Sequence, residues 1–496
     1  MMTRSTGGLH VFLMVLVVVG LYATAQSQSQ PEVDRSAPFK TIVPHRSALG
    51  AQNAVPAIPE ETATRRGGFS GSPYMVGPTR TLTTSVPEAE EHIAVDPNNF
   101  KNLIAMISDF SLNGGFNTSK FAFSKNNGTT WKESFVPLSG GSPATSDKHV
   151  WQANSDPVVG IDKLGNAYLA NLYLQVSGNN VTNDGYYVCS AKLSSGPTFK
   201  QSGCHAVKTS LTAASFLEDK PWLGVDNSTS KFSGNVYASW THFTTTSDMI
   251  FFSRSTDHGV HWSKPIQISP ASQNGGVQGS QVAVGPKGEV YVSYEVFFTS
   301  GSRHFIAKST NGGVSFGAAV AMTPGFNDLT FCLDYRCNSF PALAVNPKTG
   351  FIYDVYTDQP GANSATEFVR STTAGGLTFT KPVKINDSSK GQRLMPAVAA
   401  DKNGVVHMSW FDTRRSPSNP DVLDIFATFS KNNGASFAPN ARANATKITA
   451  SSGDFIGDYS GIAAGPNGRM GLAHPVWTSG GLNEGGKMQS STLTVP

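Results

Sequence analysis

The stretch Ser124-Lys125-Asn126-Asn127-Gly128-Thr129-Thr130-Trp131 recurs along this chain with the spacing Ser-x-Asn/Asp-x-Gly-x-x-aromatic. Three more copies begin at Ser255, Ser309 and Ser430, and a copy with one extra residue runs from Ser371 to Phe379. In such a stretch the Asn or Asp side chain caps its own turn, and glycine adopts a backbone conformation that other residues resist. Each copy therefore predicts a hairpin turn whose aromatic side chain packs into the core of the sheet.

A second repeat consists of a short apolar strand with a small residue in it, followed by a turn rich in Asp, Asn, Gly and Pro. The small residues recur every 55 to 66 residues, at Ala94, Gly160, Gly224, Ala283, Ala344, Ala399 and Ala463. Small side chains suit the innermost strands of a propeller, where sheets crowd around a central channel, and stacked four-stranded units bury one another's faces. The chain is therefore predicted to be all-β, a seven-bladed β-propeller of four-stranded antiparallel blades. The alternative is six blades with one unit forming an appended β element.

The repeats also predict how the ring is completed. In the third unit, strands are expected near residues 221–225, 235–240, 249–253 and 264–268. The second unit has lost the recurring turn and has Cys189 and Cys204 on either side of its remnant. The seventh unit ends after its third strand, so residues 79–84 are expected to supply the fourth strand and close the ring within one blade.

Four cysteines are present, and an even number in an exported chain favours disulfides. The expected pairs are local in sequence, Cys189 with Cys204 and Cys332 with Cys337. Four free thiols are the alternative. The spacings match no zinc site, and we expect neither a bound metal nor a cofactor.

The first 25 residues are typical of a secretory signal. Arg4 is followed by an apolar stretch at residues 11–22, too short to span a bilayer comfortably, and by the small-residue cleavage site Ala23-Thr24-Ala25. An uncleaved anchor is the alternative. Residues 26–76 are rich in Pro, Ser and Ala and are expected to be a disordered linker, with the propeller at residues 77–496. We expect a secreted protein, extracellular or periplasmic.

The composition of the chain excludes some classes of binding partner. The formal net charge is +4, charged residues make up 15% of the chain, and no basic run suggests nucleic acid. No later apolar segment has membrane length, so no transmembrane segment is expected. We expect a monomer whose partner is a glycan or glycoconjugate.

The predicted strand order places a candidate site at the central mouth. The starts of first strands and the ends of second strands reach the same face of a propeller. The second strands end in aromatic and polar side chains, including Asp109, His242, Asp358, Trp410 and Asp412. Aromatic rings stack on sugars, and carboxylates accept hydroxyl hydrogen bonds or transfer protons. The alternative is that the aromatic rings pack between blades and the polar groups are ordinary loop residues.

Three arginines are expected near the same mouth, on the fifth and sixth units. A planar guanidinium binds a carboxylate through two hydrogen bonds, so Arg336, Arg393 and Arg414 together would form a carboxylate clamp. Separate surface arginines with local ion pairs are the alternative. The first strands also begin near Glu90 and Tyr459, which adds a carboxylate and a phenol to the mouth.

The recurring turns resemble the Asp-box repeats of the sialidase-like propellers, over nearly all of residues 79–496. Sialidases of this family hold the substrate carboxylate with three arginines and use a Tyr/Glu nucleophile pair with an Asp general acid. The sequence Arg393-Leu394-Met395-Pro396 is the closest match to the family's arginine motif, and Asp412-Thr413-Arg414 is similar to its Asp-x-Arg. The resemblance implies Tyr459 or Tyr335 as the nucleophile, with Glu90 or Glu295 beside it.

Three hypotheses follow. The first is an exported glycoside hydrolase of sialidase type, which removes terminal sialic acid or a related acidic sugar. The second is a non-catalytic extracellular propeller that binds glycan or protein through its mouth. The third is another glycosidase or a lyase that uses two carboxylates such as Asp412 and Asp358. A propeller fold supports all three.

Overall fold

The computed structural model describes residues 65–84, 86–111, 118–138, 151–177, 180–193, 196–210, 216–298, 301–329, 339–450, 455–467 and 470–496. These residues form seven antiparallel sheets, one for each predicted unit. The inner strand of each sheet lies beside the inner strands of its two neighbours, and the seventh returns to the first. The seven-bladed propeller is confirmed, and the six-bladed alternative is wrong.

Blades 1 to 4 each have four strands, which run in order from the channel outward. Blade 1 contains Glu88–Val95, Leu103–Asp109, Thr118–Ser124 and Lys132–Phe135. Blade 2 contains Ala153–Ile161, Asn166–Ser177, Asn180–Lys192 and Cys204–Ser210. Blade 3 contains Phe216–Val225, Val236–Thr244, Asp248–Ser255 and Ile266–Gln267. Blade 4 contains Val277–Val284, Val290–Phe298, Gly301–Ser309 and Val320–Ala321. Two single turns of 3₁₀ helix, Gln201–Gly203 and Ala271–Gln273, lie in connections.

Blades 5 and 6 repeat this plan, and blade 7 completes the ring. Blade 5 contains Ala342–Val345, Ile352–Asp358, Ala365–Arg370 and Val383–Lys384. Blade 6 contains Arg393–Ala400, Val406–Asp412, Val422–Ser430 and Ala441–Arg442, with Ile448–Thr449 also paired to its third strand. Blade 7 contains Gly461–Asn467 and Met470–Thr478, followed by a third strand in two pieces, Met488–Ser490 and Leu493–Thr494.

A segment that precedes blade 1 forms the outer edge of blade 7. Arg80–Thr81 pairs with Gln489 and Ser490, as the predicted closure requires. Met75–Val76 adds a second pairing, with Leu493 and Thr494. The ring is therefore closed by strands from before the first blade and after the sixth.

The same segment continues backward along blades 6 and 5, and we call residues 65–81 the strap. Arg65–Arg66 runs parallel to Val383–Lys384 of blade 5. Phe69 bridges Phe437 of blade 6. The Tyr74 hydroxyl is buried and lies 2.8 Å from His407 Nδ1 in the same blade. Residues 65, 66, 75 and 76 thus already pair with the propeller, although composition placed its boundary at residue 77.

Small residues on the inner strands allow the blades to approach closely, as predicted. A Cβ atom on Gly160 would lie 2.7 Å from Val225 Cγ2 of blade 3, and one on Gly224 would lie 2.7 Å from Val282 Cγ1 of blade 4. Real Cβ contacts are longer, so a larger side chain would force adjacent blades apart.

The recurring turns have the predicted hydrogen bonds and also connect blades. At Ser124, the Gly128 amide donates to the Ser124 hydroxyl oxygen at 3.0 Å and the Thr130 amide donates to Asn126 Oδ1 at 2.9 Å. The fourth residue of a turn reaches the preceding blade, because its φ is positive. Asn127 Oδ1 lies 2.9 Å from His474 Nε2 of blade 7, and Asn433 Oδ1 accepts from the Tyr353 hydroxyl of blade 5 at 2.7 Å.

Blade 2 lacks this turn, and a disulfide joins its two outer strands instead. Cys189 and Cys204 are directly opposite each other in the antiparallel pairing and are bonded. This expected pair is confirmed. Cys332 and Cys337 lie outside the described residues.

Within the described part of the chain, no helix is both long and apolar enough to cross a membrane.

Candidate active site at the central mouth

A shared irregularity of the inner strands places polar side chains at the axis. In blades 1, 2, 3, 4 and 6 the pairing of the inner strand shifts just before the small residue, as in a β-bulge. The residue at the shift has a positive φ in each case: Glu90, Asp156, Lys220, Gly279 and Met395. Bulges redirect side chains and are frequent near functional sites. Tyr459 is the equivalent residue of blade 7, four positions before Ala463.

Lys220 is the centre of a buried ion cluster made by four blades. Its Nζ lies 2.8 Å from Asp156 Oδ1 of blade 2, 2.5 Å from Asp458 Oδ2 of blade 7 and 3.7 Å from Glu90 Oε1 of blade 1. Burial alone would lower the pKa of Lys220, but Asp156, Asp458, Asp219 and Glu90 raise it above its usual range. The ammonium therefore stays charged and holds the carboxylates together.

Tyr459 lies against this cluster and is partly exposed. Its hydroxyl donates to the Pro157 carbonyl at 3.2 Å, and Lys220 Nζ is 5.8 Å from the centre of its ring. Burial of the hydroxyl, with the charges of Glu90 and other carboxylates, raises the pKa of Tyr459 well above its usual value. The phenol can therefore act as a nucleophile only if a neighbouring carboxylate takes its proton.

Two adjacent glutamates have different environments. Glu90 Oε2 accepts a hydrogen bond from the Ser108 hydroxyl at 3.2 Å. The Glu91 side chain is fully buried, and burial first, with repulsion from Glu90 and Glu88, raises its pKa well above the usual range. The raised pKa of Glu91 favours its protonated form, whereas Glu90 contacts the Ser108 hydroxyl and the Lys220 ammonium.

Two of the arginines expected to form a clamp are committed to partners in blade 6, in blade 5 and in the connection between these blades. Arg393 is fully buried, and its guanidinium donates to the carbonyls of Ser364, Gly391 and Ser388 at 3.1, 2.7 and 2.8 Å. Its Nε lies 3.3 Å from Asp412 Oδ2.

Arg414 shares the same carboxylate. Its Nε and one terminal nitrogen donate to Asp412 Oδ2 at 2.9 and 2.7 Å, and its other terminal nitrogen contacts Asp387. Trp410, which is also buried, donates to the same oxygen at 2.8 Å. The structure therefore brings Arg393, Arg414, Trp410 and Asp412 together in an internal network. Arg336 lies outside the described residues.

The other predicted site residues are each held by nearby protein groups. Asp109 is buried, 3.2 Å from Lys120 Nζ. His242 Nδ1 lies 2.9 Å from Glu218 Oε2. Asp358 Oδ1 accepts from the Asn327 amide at 2.9 Å, and burial raises the pKa of this carboxyl. Their predicted roles in substrate binding and catalysis remain predictions.

The sequence reasoning gave no role to Lys220. Its signal was its position, four residues before Gly224, which matches Glu90 before Ala94 and Asp156 before Gly160. A lysine beside Pro221 looks like a surface residue until the bulge turns it inward.

No group of three or more His, Cys, Asp or Glu side chains among the described residues is placed to hold a metal ion.

No protein-family model matches this chain, and no curated protein matches it. Solved structures of similar shape include three carbohydrate-active proteins. The leech intramolecular trans-sialidase is 10% identical, with 78% of this chain and 70% of that chain covered and a TM-score of 0.41. Penicillium chrysogenum α-L-arabinanase is 12% identical, with 84% and 98% covered and a TM-score of 0.45. Trypanosoma rangeli sialidase is 10% identical, with 84% and 59% covered and a TM-score of 0.39. At these values the likeness carries no argument about function.

Proposed function

We propose that this chain is a glycan-active propeller enzyme whose site is the central mouth. The observation that supports this proposal is the convergence of the Tyr459 phenol with Glu90, Asp156 and Asp458 around Lys220. Burying one ammonium among several carboxylates is costly, and hydrophobic residues of similar size would often be at least as stable. Stability therefore does not explain why such a cluster lies at the mouth, and we attribute the cluster to a catalytic role.

The finer proposal is a glycoside hydrolase of sialidase type, as the resemblance of the turns to Asp boxes implies. The Tyr459 oxygen attacks the anomeric carbon, the bond from that carbon to the leaving oxygen breaks, and Glu90 takes the phenolic proton. A neutral phenol suits an anionic sugar better than a carboxylate nucleophile would, and tyrosine is a recognised alternative in sialidases. Water then releases the sugar from Tyr459, which regains its proton.

The group that protonates the leaving oxygen is proposed among the predicted carboxyls. Asp412 accepts hydrogen bonds from Arg414 and Trp410 and forms an ion pair with Arg393, so its oxygens serve as acceptors. Burial raises the pKa of Asp358, which favours the protonated form that a general acid requires. Asp358 is therefore the better supported of the two.

The substrate proposed from the sequence is a terminal sialic acid or a related acidic sugar in an exported protein. Arg393 and Arg414 already donate to Asp412, to Ser364 of blade 5 and to the connection between blades 5 and 6, so an arginine clamp on a substrate carboxylate would depend on Arg336. Because both arginines are bound to protein groups, a second candidate function is favoured: a propeller that binds glycan or protein through its mouth without catalysis. These contacts also make Arg393→Ala a test of stability rather than of substrate binding.

The test is hydrolysis of a fluorogenic sialoside, beside a panel of neutral glycosides, by the wild type and by Tyr459→Phe and Glu90→Gln. We expect kcat to fall at least about 100-fold in both variants, since each removes half of the nucleophile pair. Tyr291→Phe is the matched control, because its hydroxyl lies 3.5 Å from the Gly375 carbonyl in a recurring turn. We expect this control to retain wild-type kcat.

The outcomes separate the candidates. Turnover of sialosides that Tyr459→Phe abolishes supports the sialidase proposal. Turnover of neutral glycosides alone, again lost in Tyr459→Phe, retains the enzyme and rejects the acidic substrate. A folded wild-type protein that hydrolyses no member of the panel supports the binding candidate, and glycan binding would then be measured directly.

A further inference from the structure

A second polar and aromatic group lies on blade 3, outside the ion cluster. Glu218 lies two residues before Lys220 on the same inner strand and is paired with His242 on the second strand. The Glu218 carboxylate is fully buried and accepts from the Ser210 hydroxyl at 2.7 Å and from Trp240 Nε1 at 2.6 Å. Both its oxygens lie within 3.0 Å of His242 Nδ1.

These contacts fix the orientation of the His242 ring. A carboxylate on Nδ1 holds the proton there and leaves Nε2 to make contacts of its own. His242 Nε2 has no hydrogen-bond partner among the residues that the structure describes, although the His242 side chain is 14% exposed. Since the ring is held by its other nitrogen, Nε2 is an oriented hydrogen-bonding atom with no partner in the described part of the protein.

An exposed aromatic ring lies directly beside this imidazole. Phe216, the first residue of the inner strand, is 38% exposed, and its ring stacks on His242 with centroids 5.4 Å apart and planes at 19°. Phe251 closes the other side, edge-on to His242 at 5.2 Å. The imidazole is therefore held by rings as well as by Glu218, while part of Phe216 remains open to solvent.

We propose that Phe216 and His242 form a saccharide-binding subsite on blade 3. The exposed part of Phe216 would contact the apolar face of a sugar ring, and His242 Nε2 would exchange a hydrogen bond with a hydroxyl group of the same sugar. An exposed aromatic ring beside an oriented polar atom is the combination that sugar sites require. Glu218 acts as a positioning residue, because it contacts the ligand only through His242.

Two buried carboxyl groups, those of Glu218 and Asp184, lie next to this subsite. Asp184 of blade 2 accepts from the Glu218 backbone amide at 2.5 Å. Burial first, and then repulsion from Glu218, raises the pKa of Asp184 well above its usual range. No charged side chain among the described residues has an ion pair with His242 other than Glu218. The subsite therefore presents one polar atom and one ring, which suits an uncharged sugar.

The experiment is glycan-array binding by the full-length protein, compared with Phe216→Ala and His242→Phe. We expect both variants to lose at least about tenfold in affinity for the glycans that the wild type binds, since each removes one of the two contacts. Phe135→Ala is the matched control, because Phe135 is a 50% exposed phenylalanine on the outer strand of blade 1. It should bind as the wild type does.

A second readout tests the positioning role of Glu218. In Glu218→Gln the array affinity should fall, and the ¹⁵N chemical shifts of the His242 ring, which report which ring nitrogen carries the proton, should change because the carboxylate beside Nδ1 is gone. A merely structural role would leave those chemical shifts unchanged. Asp184→Asn is included to separate the effect of the second carboxyl.

The proposal does not rest on hydrolysis at Tyr459. Tyr459→Phe should abolish turnover and leave binding at Phe216 intact, so failure of one proposal is distinguishable from failure of the other. Wild-type protein that binds no glycan on the array, or Phe216→Ala and His242→Phe proteins that bind as the wild type does, would overturn the subsite. Binding that only Tyr459→Phe weakens would also overturn it.

Discussion

Asp248 shows how a single carboxyl group can make the whole fold sensitive to pH. It begins the third strand of blade 3, is almost fully buried, and accepts from the Val277 amide of blade 4 at 3.1 Å. Burial raises the pKa of Asp248 to about 7, although hydrogen bonds from backbone amides oppose the shift. The folded protein therefore retains a proton at a pH where the unfolded chain has lost it.

We predict that this carboxyl lowers the free energy of unfolding as pH rises from about 4 to about 7. An unfolded Asp titrates near pH 3.9, so across this window the folded state binds more protons than the unfolded state. Asp248→Asn should remove that dependence and raise stability at pH 8 by at most about 4 kcal/mol. Urea unfolding at pH 4.5, 6 and 8 measures both effects. Equal pH slopes in the two proteins would contradict the prediction.

Residues of the candidate site could be proposed from the sequence where their chemistry matched a known role. Glu90 and Tyr459 were identified from strand starts and from the family resemblance, and both lie at the cluster around Lys220. Lys220 itself was missed because its inward direction depends on a positive φ of 49° at a bulge. Neither the composition nor the alternation of polar and apolar residues predicts a bulge that turns one side chain inward. The sequence alone therefore predicted the carboxylates of the cluster but not the lysine between them.

At the scale of elements, the recurring turn contributes to stability by joining neighbouring blades as well as by closing a hairpin. In the copy that begins at Ser430, Gly434 has a φ of 81°, and a Cβ atom there would lie 2.3 Å from Phe368 Cε1 of blade 5. Phe368 in turn packs edge-on against Phe437, the aromatic residue of the same turn. The turn therefore needs glycine both for its backbone and for the space beside blade 5.

Gly434→Ala should lower the free energy of unfolding by about 2 to 4 kcal/mol, from backbone strain together with overpacking. Gly361→Ala is the matched control, because its φ is not positive and a Cβ atom there meets nothing within 4 Å. The control should lie within about 0.5 kcal/mol of the wild type. Denaturant unfolding monitored by tryptophan fluorescence gives both values, and similar values for the two variants would refute the account of the turn.

Elements were predicted well because their signals are local and repeated. In blade 3 the expected strands at 221–225, 235–240, 249–253 and 264–268 all overlap observed strands. The observed inner strand is longer, beginning at Phe216, because the bulge at Lys220 interrupts the pairing without ending it. The positions of strand ends depend on contacts between strands, and the spacing of small residues does not predict those contacts.

For the molecule as a whole, the strap links three blades that would otherwise meet only side by side. It follows the outer edges of blades 5, 6 and 7 through residues 65–81. Tyr74 anchors its middle, with its hydroxyl 2.8 Å from His407 Nδ1 and its ring packed on Phe429. Composition suggested a disordered linker up to residue 76, because one buried tyrosine among polar residues leaves no periodic pattern.

A protein that begins at residue 77 should unfold at a lower temperature than one that begins at residue 65, since it loses Tyr74 and the pairing of Met75–Val76. Full burial of a large side chain contributes about 2 to 3 kcal/mol, so a loss of several degrees in Tm is expected. Tyr74→Phe should lose about 1 kcal/mol through its hydrogen bond alone. Differential scanning calorimetry compares the three proteins, and identical Tm values would show that the strap contributes nothing to stability.

The closure of blade 7 also sets an order of events during synthesis. Met75–Val76 and Arg80–Thr81 leave the ribosome long before their partners Met488–Ser490 and Leu493–Thr494 exist. Blades 1 to 6 can pair their own strands as they emerge, because those strands are neighbours in sequence. The edge that is made first must wait until translation reaches residue 494, so the ring can close only after all seven inner strands have been made, and a stop codon before residue 488 would leave six blades built and the ring open.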